Sequence, residues 1–165
     1  MNLYVRLIYT ILISWWQGKA DPKAALELTF RVWPHDLDLN LHMNNGRYLT
    51  LMDLGRMQLL TRAGVIATVF KNGWMPLLGG AHIEYKKPLA PFRSFTLTTR
   101  VATWDKRWIY IEQRFHSGGE LMAIAHVKAL IRGRKGNIPS AEFMKLSGWE
   151  GSPPEPVPAF YAEGK

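Results

Sequence analysis

Between Asp36 and Tyr48 the chain reads Asp-Leu-Asp-Leu-Asn-Leu-His-Met-Asn-Asn-Gly-Arg-Tyr, so acids, an amide and an imidazole recur at every second position. In an extended backbone alternate side chains share a face, which would gather Asp38, Asn40 and His42 on one side. An acid, an amide and an imidazole aimed at one volume can hold a water, move a proton and support an oxyanion. Helical periodicity follows from about Arg47 to Ala63, so the N–H groups of Asn45 and Gly46 are expected at a helix start, free to meet developing negative charge.

Each of these residues also has a purely structural use. Asp36 suits a turn or cap, Asn44 or Asn45 an N-cap, Asp38 an Asx-turn, and His42 a packed core or interface. Asp53 lies three residues before Arg56, the spacing of a surface ion pair. Its helical neighbours Leu49 and Met57 make an apolar setting that is costly for an unpaired carboxylate. His35, Asp36, Asp38 and His42 match no metal-ligand template, and neither metal nor cofactor is expected. Gly79-Gly80 reads as a bulge or strand entry rather than a phosphate cradle.

The elements that must position these groups are legible in outline. Asp21-Pro22 ends an apolar N-terminal helix. Ala25 to Trp33 alternates apolar and polar residues like a half-buried strand. The helix from Arg47 to Ala63 is apolar on nearly all sides and belongs inside a wrap of other structure. Strands are expected at Ala81–Pro88, Ser94–Asp105, Arg107–His116 and Leu121–Arg132, the last three joined by hairpin-length turns. A short helix is expected at Ser140–Leu146, then an extended or mobile proline-rich tail. One early strand, one central helix and a run of antiparallel strands indicate an α+β fold with one sheet around one helix. The domains read as an N-terminal apolar helix over 1–20, the main domain over 21–135 and a C-terminal extension over 136–165.

The 165 residues suit one core, and the absence of cysteine excludes disulfides, thiolate metal sites and cysteine nucleophiles. That composition fits a reducing cytoplasm. A net charge of +8 favours anionic ligands. The basic residues are spread along the chain without a recognised nucleic-acid module, so phosphate-bearing small ligands are expected and nucleic acid is not. Leu3 to Trp16 is too short to span a bilayer and lacks a signal-peptide cleavage pattern. It reads either as a buried or dimer-facing helix, or as one lying on a membrane surface through Trp15-Trp16.

A strand, the pattern D-x-D-x-x-x-H-x-N-N-x-x-Y, a buried helix and four antiparallel strands together resemble the hotdog-fold thioesterases. The resemblance covers roughly Leu26 to Arg132. It is to the branch containing 4-hydroxybenzoyl-CoA thioesterase and bacterial long-chain acyl-CoA thioesterases. Asp38 to Asn45 is also similar to the D-x-N-x-H-x-N-N segment of plant acyl-ACP thioesterases. The resemblance implies a hotdog fold and hydrolysis of an acyl-CoA thioester, with acyl-ACP or a non-catalytic, membrane-surface acyl-binding role as alternatives. It also implies a homodimer or a tetramer of dimers with each site between subunits. Asp38, Asn40, His42 and Asp53 are implied as catalytic residues; Asn44, Asn45, Gly46 and Tyr48 are expected to bind substrate. One departure stands out: Leu41 precedes His42 where many relatives carry glycine.

Overall fold

The computed structural model describes residues 3–157 and 159–162. After helix α1 (Leu3–Gln17) come strand β1 (Leu26–Arg31), a 3-10 turn at Pro34–Asp36, α2 (Asn45–Arg62) and α3 (Ile66–Lys71). Strands β2 (Met75–Tyr85), β3 (Ser94–Trp104), β4 (Ile109–Ser117), β5 (Glu120–Gly133) and β6 (Gly136–Ile138) follow, then α4 (Ser140–Leu146) and α5 (Ala159–Ala162). The antiparallel sheet has the order β1-β3-β4-β5-β2, with β6 on β5. This is the hotdog arrangement, an α+β fold in which the sheet wraps one helix.

The wrap follows from strand periodicity. Leu26, Leu28 and Phe30 of β1 point inward, as do Phe95 and Leu97 of β3 and Ala123, Ala125 and Val127 of β5. They enclose Tyr48, Leu51, Met52 and Leu54 of α2. Gly55 is where the helix sits lowest. A Cβ there would overlap Thr99 Oγ1 and come within 2.8 Å of Gln113 Nε2. The missing side chain lets the helix backbone meet the sheet directly.

Strand β2 starts at Met75, earlier than the expected Ala81, and passes through Gly79-Gly80 with a register shift between Leu78 and Gly80. The shift is the bulge read from the glycine pair. Among the described residues β2 pairs only with β5, so its other edge is open. The short α3 is an addition to the expected elements, whereas α4 has the expected bounds. The described part of the proline-rich tail is docked: Thr103 Oγ1 donates to Glu155 O at 2.5 Å, Arg100 reaches the Glu155 carboxylate at 2.7 Å, and the Tyr161 ring lies 5.1 Å from Tyr110.

Helix α1 packs on α2 with its polarity reversed. Arg6, Thr10 and Ser14, one turn apart, are buried, while Tyr4, Ile8, Leu12, Trp15 and Trp16 face outward. The inward charge is matched: both terminal nitrogens of Arg6 donate to the Asp36 carboxylate, at 3.1 and 2.6 Å, with both side chains almost fully buried.

Candidate active site

The segment before α2 is a tight hairpin, not the extended strand that alternation suggests. An isolated bridge joins Leu37 to Met43, and Asp38 N–H donates to His42 O at 2.9 Å. The turn closes because Leu41 adopts φ 56°, in the left-handed region that a glycine would occupy at no steric cost. Asp38 and His42 therefore meet across a turn, and Asn40 stands exposed near its tip.

Asp38 uses one carboxylate oxygen for the turn. Its Oδ1 accepts from Asn40 N–H at 2.8 Å and His42 N–H at 3.4 Å, an Asx-turn. Among the described residues Oδ2 has no partner, which leaves it available to a water or a carbonyl carbon. Asp36 is fully structural. Besides Arg6 it accepts Trp33 N–H at 2.9 Å and lies 3.5 Å from Arg47.

The helix start differs from expectation in one respect. Asn44 is the N-cap and its Oδ1 takes the Gly46 N–H at 2.8 Å, so that amide is not free for an oxyanion. The Asn45 N–H, first in the helix, has no acceptor among the described residues and lies at the positive end of the helix dipole. Tyr48 is not exposed for binding. It is a core residue with its ring 4.8 Å from Phe115 and 5.1 Å from Tyr85, and burial, with Tyr85 nearby, pushes its phenol up to about 12. Tyr85 in turn donates to Asn45 O at 3.3 Å, tying that end of β2 to the start of α2.

The second half of α2 borders an apolar cavity of about 400 Å³. Leu59, Leu60, Ile109, Ile131, Phe143 and Met144 form much of its wall, with Ala20 to Pro22 on one rim and Pro76 to Leu78 of the open strand β2 on another. Its volume is in the range of small-molecule sites. Asp53 and Arg56 line it as an ion pair. Arg56, whose pKa burial lowers against the pull of Asp53, also donates to Gln113 Oε1 at 2.8 Å. Gln113 Nε2 then reaches Met52 O and Thr99 Oγ1, both at 3.0 Å.

Within one chain the structure thus brings Asp38, Asn40 and His42 into one turn, with Asn45 three residues on at the helix start, and sets Asp53 apart with the cavity. Eight residues of helix separate Asn45 from Asp53, about 12 Å along its axis. The cavity wall and the Arg56–Gln113 link lie beyond what the motif indicates. Gln113 has a readable signal, since it occupies the inward register of β4 between Ile111 and Phe115.

Comparison with known proteins fits this architecture. Residues 32–162 match the family model described as the thioesterase-like superfamily. Protein THEM6 of Danio rerio is 37% identical over 111 residues, covering 66% of this chain and 55% of that protein. Protein THEM6 of Xenopus laevis is 39% identical over 84 residues, covering 51% and 41%. The chain spans about half the length of these curated relatives. The Staphylococcus aureus protein SAV2348, solved in complex with CoA, superimposes with a TM-score of 0.66 at 15% identity, covering 90% of this chain and 98% of that one. At that identity the likeness is one of fold.

Proposed function

The chain belongs to the thioesterase-like superfamily, and from that premise we propose that it hydrolyses an acyl-CoA thioester to the free acid and CoA. The observation that carries the reading is the apolar cavity of about 400 Å³ whose lining includes the Asp53–Arg56 pair. An acyl chain fits such a cavity, and the +8 charge favours a phosphate-bearing carrier. CoA in the complex of the structural neighbour supports that carrier, with acyl-ACP as the alternative.

The separation of Asp38 from Asp53 is resolved in a homodimer. Tyr85 ties one end of β2 to the start of α2, while Pro76 to Leu78 at the other end border the cavity. Antiparallel pairing of two β2 edges exchanges these ends. The Asp38 hairpin of one protomer then faces the cavity of the other, giving two composite sites.

In each site the thioester oxygen takes the Asn45 N–H at the helix start, one oxyanion donor of the kind whose removal costs about 3 kcal/mol. Asp38 Oδ2 deprotonates water or attacks the carbonyl carbon, with Asn40 and His42 beside it to hold the water and the leaving sulfur's side of the substrate. Asp53, held by Arg56, is the second carboxylate. The carbonyl–sulfur bond breaks and the thiolate of CoA leaves, taking the water's proton from Asp38 in the first route; in the second, water then hydrolyses the Asp38–acyl anhydride, freeing the acid and the carboxylate, and its proton ends on the thiolate.

Purified protein should release free thiol from acyl-CoA. Asp38→Asn and Asp53→Asn should each slow that release by at least two orders of magnitude. Wild-type rates from both variants across short, medium and long chains would overturn the mechanism.

A further inference from the structure

The outward face of α1 is the largest group of exposed apolar side chains on any one element. Tyr4, Val5, Ile8, Tyr9, Leu12, Trp15 and Trp16 are between 45% and 87% exposed and recur at helical spacing along one side. The four aromatic rings alone present on the order of 500 Å² to water, within the range of the largest apolar patch of a typical monomer. Arg6 is the helix's single charge and is turned inward to Asp36, so the outer face carries none.

We infer that this face beds into the surface of a lipid bilayer and sets the cavity beside it. Four features select a bilayer as the occupant. No described helix is long and apolar enough to cross a membrane. An apolar stripe with aromatic residues at its end is what lies in the headgroup boundary. Beyond the Trp pair come Lys19 and Lys23, both exposed, which match an anionic headgroup layer, as does the +8 charge of the chain.

The fourth feature is position. Arg6 donates to Arg31 O, so α1 lies beside β1, the opposite end of the sheet order from the open edge of β2. Pairing through β2 leaves the α1 face uncovered. Ala20 to Pro22, which follow α1 directly, form a rim of the cavity. A docked α1 therefore holds that rim at the level where the acyl chains of a membrane begin. The uncovered state of the face follows from the proposed β2 pairing; docking otherwise stands on the observations above. The consequence that the substrate is a long-chain acyl thioester drawn from the bilayer rests on the thioesterase reading.

The test is flotation of the full chain with vesicles of phosphatidylcholine, with and without phosphatidylserine, beside hydrolysis of a short, water-soluble acyl-CoA. Wild type is expected to float, more strongly with the anionic lipid. Leu12→Glu/Trp16→Glu should cut the bound fraction at least tenfold while leaving the melting temperature and short-chain turnover unchanged. A second variant, Ile8→Glu/Trp15→Glu, strikes the same face elsewhere, so if one variant misfolds the other still decides the question. Wild type that stays with the soluble fraction on both vesicles overturns the proposal. So do variants that float like wild type, or a loss of self-association without any lipid binding, which would assign the face to a second copy. Flotation without turnover of any acyl thioester keeps the docking and removes the thioesterase reading.

Discussion

Arg56 grips the Asp53 carboxylate one turn behind it on α2 and donates from its other terminal nitrogen to Gln113 Oε1 at 2.8 Å. A carboxylate at the rim of the cavity is thereby tied through a buried amide to the middle of the sheet. The Asp53 side chain is still 69% exposed, so the pair itself adds only about 0–1 kcal/mol to stability. Asp53→Asn should therefore leave the urea midpoint nearly unchanged while thioester turnover collapses. A variant that loses both together would make Asp53 a structural residue.

The proposed composite sites make a stricter prediction. Asp38→Asn and Asp53→Asn proteins, each inactive alone, should regain about a quarter of wild-type activity when unfolded together and refolded at equal amounts, because half the dimers are mixed and each mixed dimer holds one intact site. No recovery, with mixed dimers demonstrated by mass spectrometry, would place both carboxylates in the same protomer's site.

Leu41 holds a backbone conformation with φ 56° and is largely exposed, so its side chain gains little from packing. For a residue with a Cβ that conformation costs about 1–2 kcal/mol. Glycine removes the strain but gives back roughly 0.4–1 kcal/mol through the freer unfolded chain. Leu41→Gly should raise stability by up to about 1.5 kcal/mol, and Leu41→Val should lower it; urea unfolding of the pair gives the sign.

Burial pushes the Glu112 carboxyl up, but Arg100 at 3.0 Å and Arg114 at 2.9 Å outweigh it and hold it below the usual glutamate range. A depressed folded pKa stabilises fully above the unfolded value, about 4.3. That contribution disappears as pH falls through the folded value. Glu112→Gln should be less stable than wild type at pH 7 and should lose less of its stability between about pH 5 and 3. Parallel acid titrations of the two unfolding midpoints check this.

Asp36 and Arg6 form a buried pair 30 residues apart in sequence, with both side chains at most 3% exposed. Removing one partner leaves the other charge without its counterion, a loss of about 3–5 kcal/mol. Asp36→Ala should destabilise on that scale and loosen α1, seen as faster amide exchange in residues 3–17. An effect below about 1 kcal/mol would mean that water replaces the pair without the penalty of a buried lone charge.

How far the sequence speaks depends on whether a feature is local. β1, β3, β4, β5 and α4 follow from alternation and turn residues, and the i,i+3 pairing of Asp53 with Arg56 is readable as spacing. The hairpin at Asp38 is legible only in part: the acid suits an Asx-turn, but the residue that bends the backbone is a leucine, which gives no turn signal. The facing of α1 is equally hidden. Its composition announces an apolar helix, but the side that turns inward is set by Arg6 meeting Asp36, a contact no window of periodicity contains. Gly46 illustrates a third kind of difficulty, in which a cap and an oxyanion donor compete for one N–H and the cap takes it.

Gly55 fixes the depth at which α2 rests on the sheet, since even one methyl group there would strike Thr99 and Gln113. The spacing between helix and strands is thereby set at its minimum and has no room to be tuned downward. Any narrowing of the cavity must come from bulkier residues at wall positions such as Leu60 or Ile131. Gly55→Ala is a lever of a different kind: it would jack up the ceiling, at the expense of the Gln113 tether that steadies Arg56.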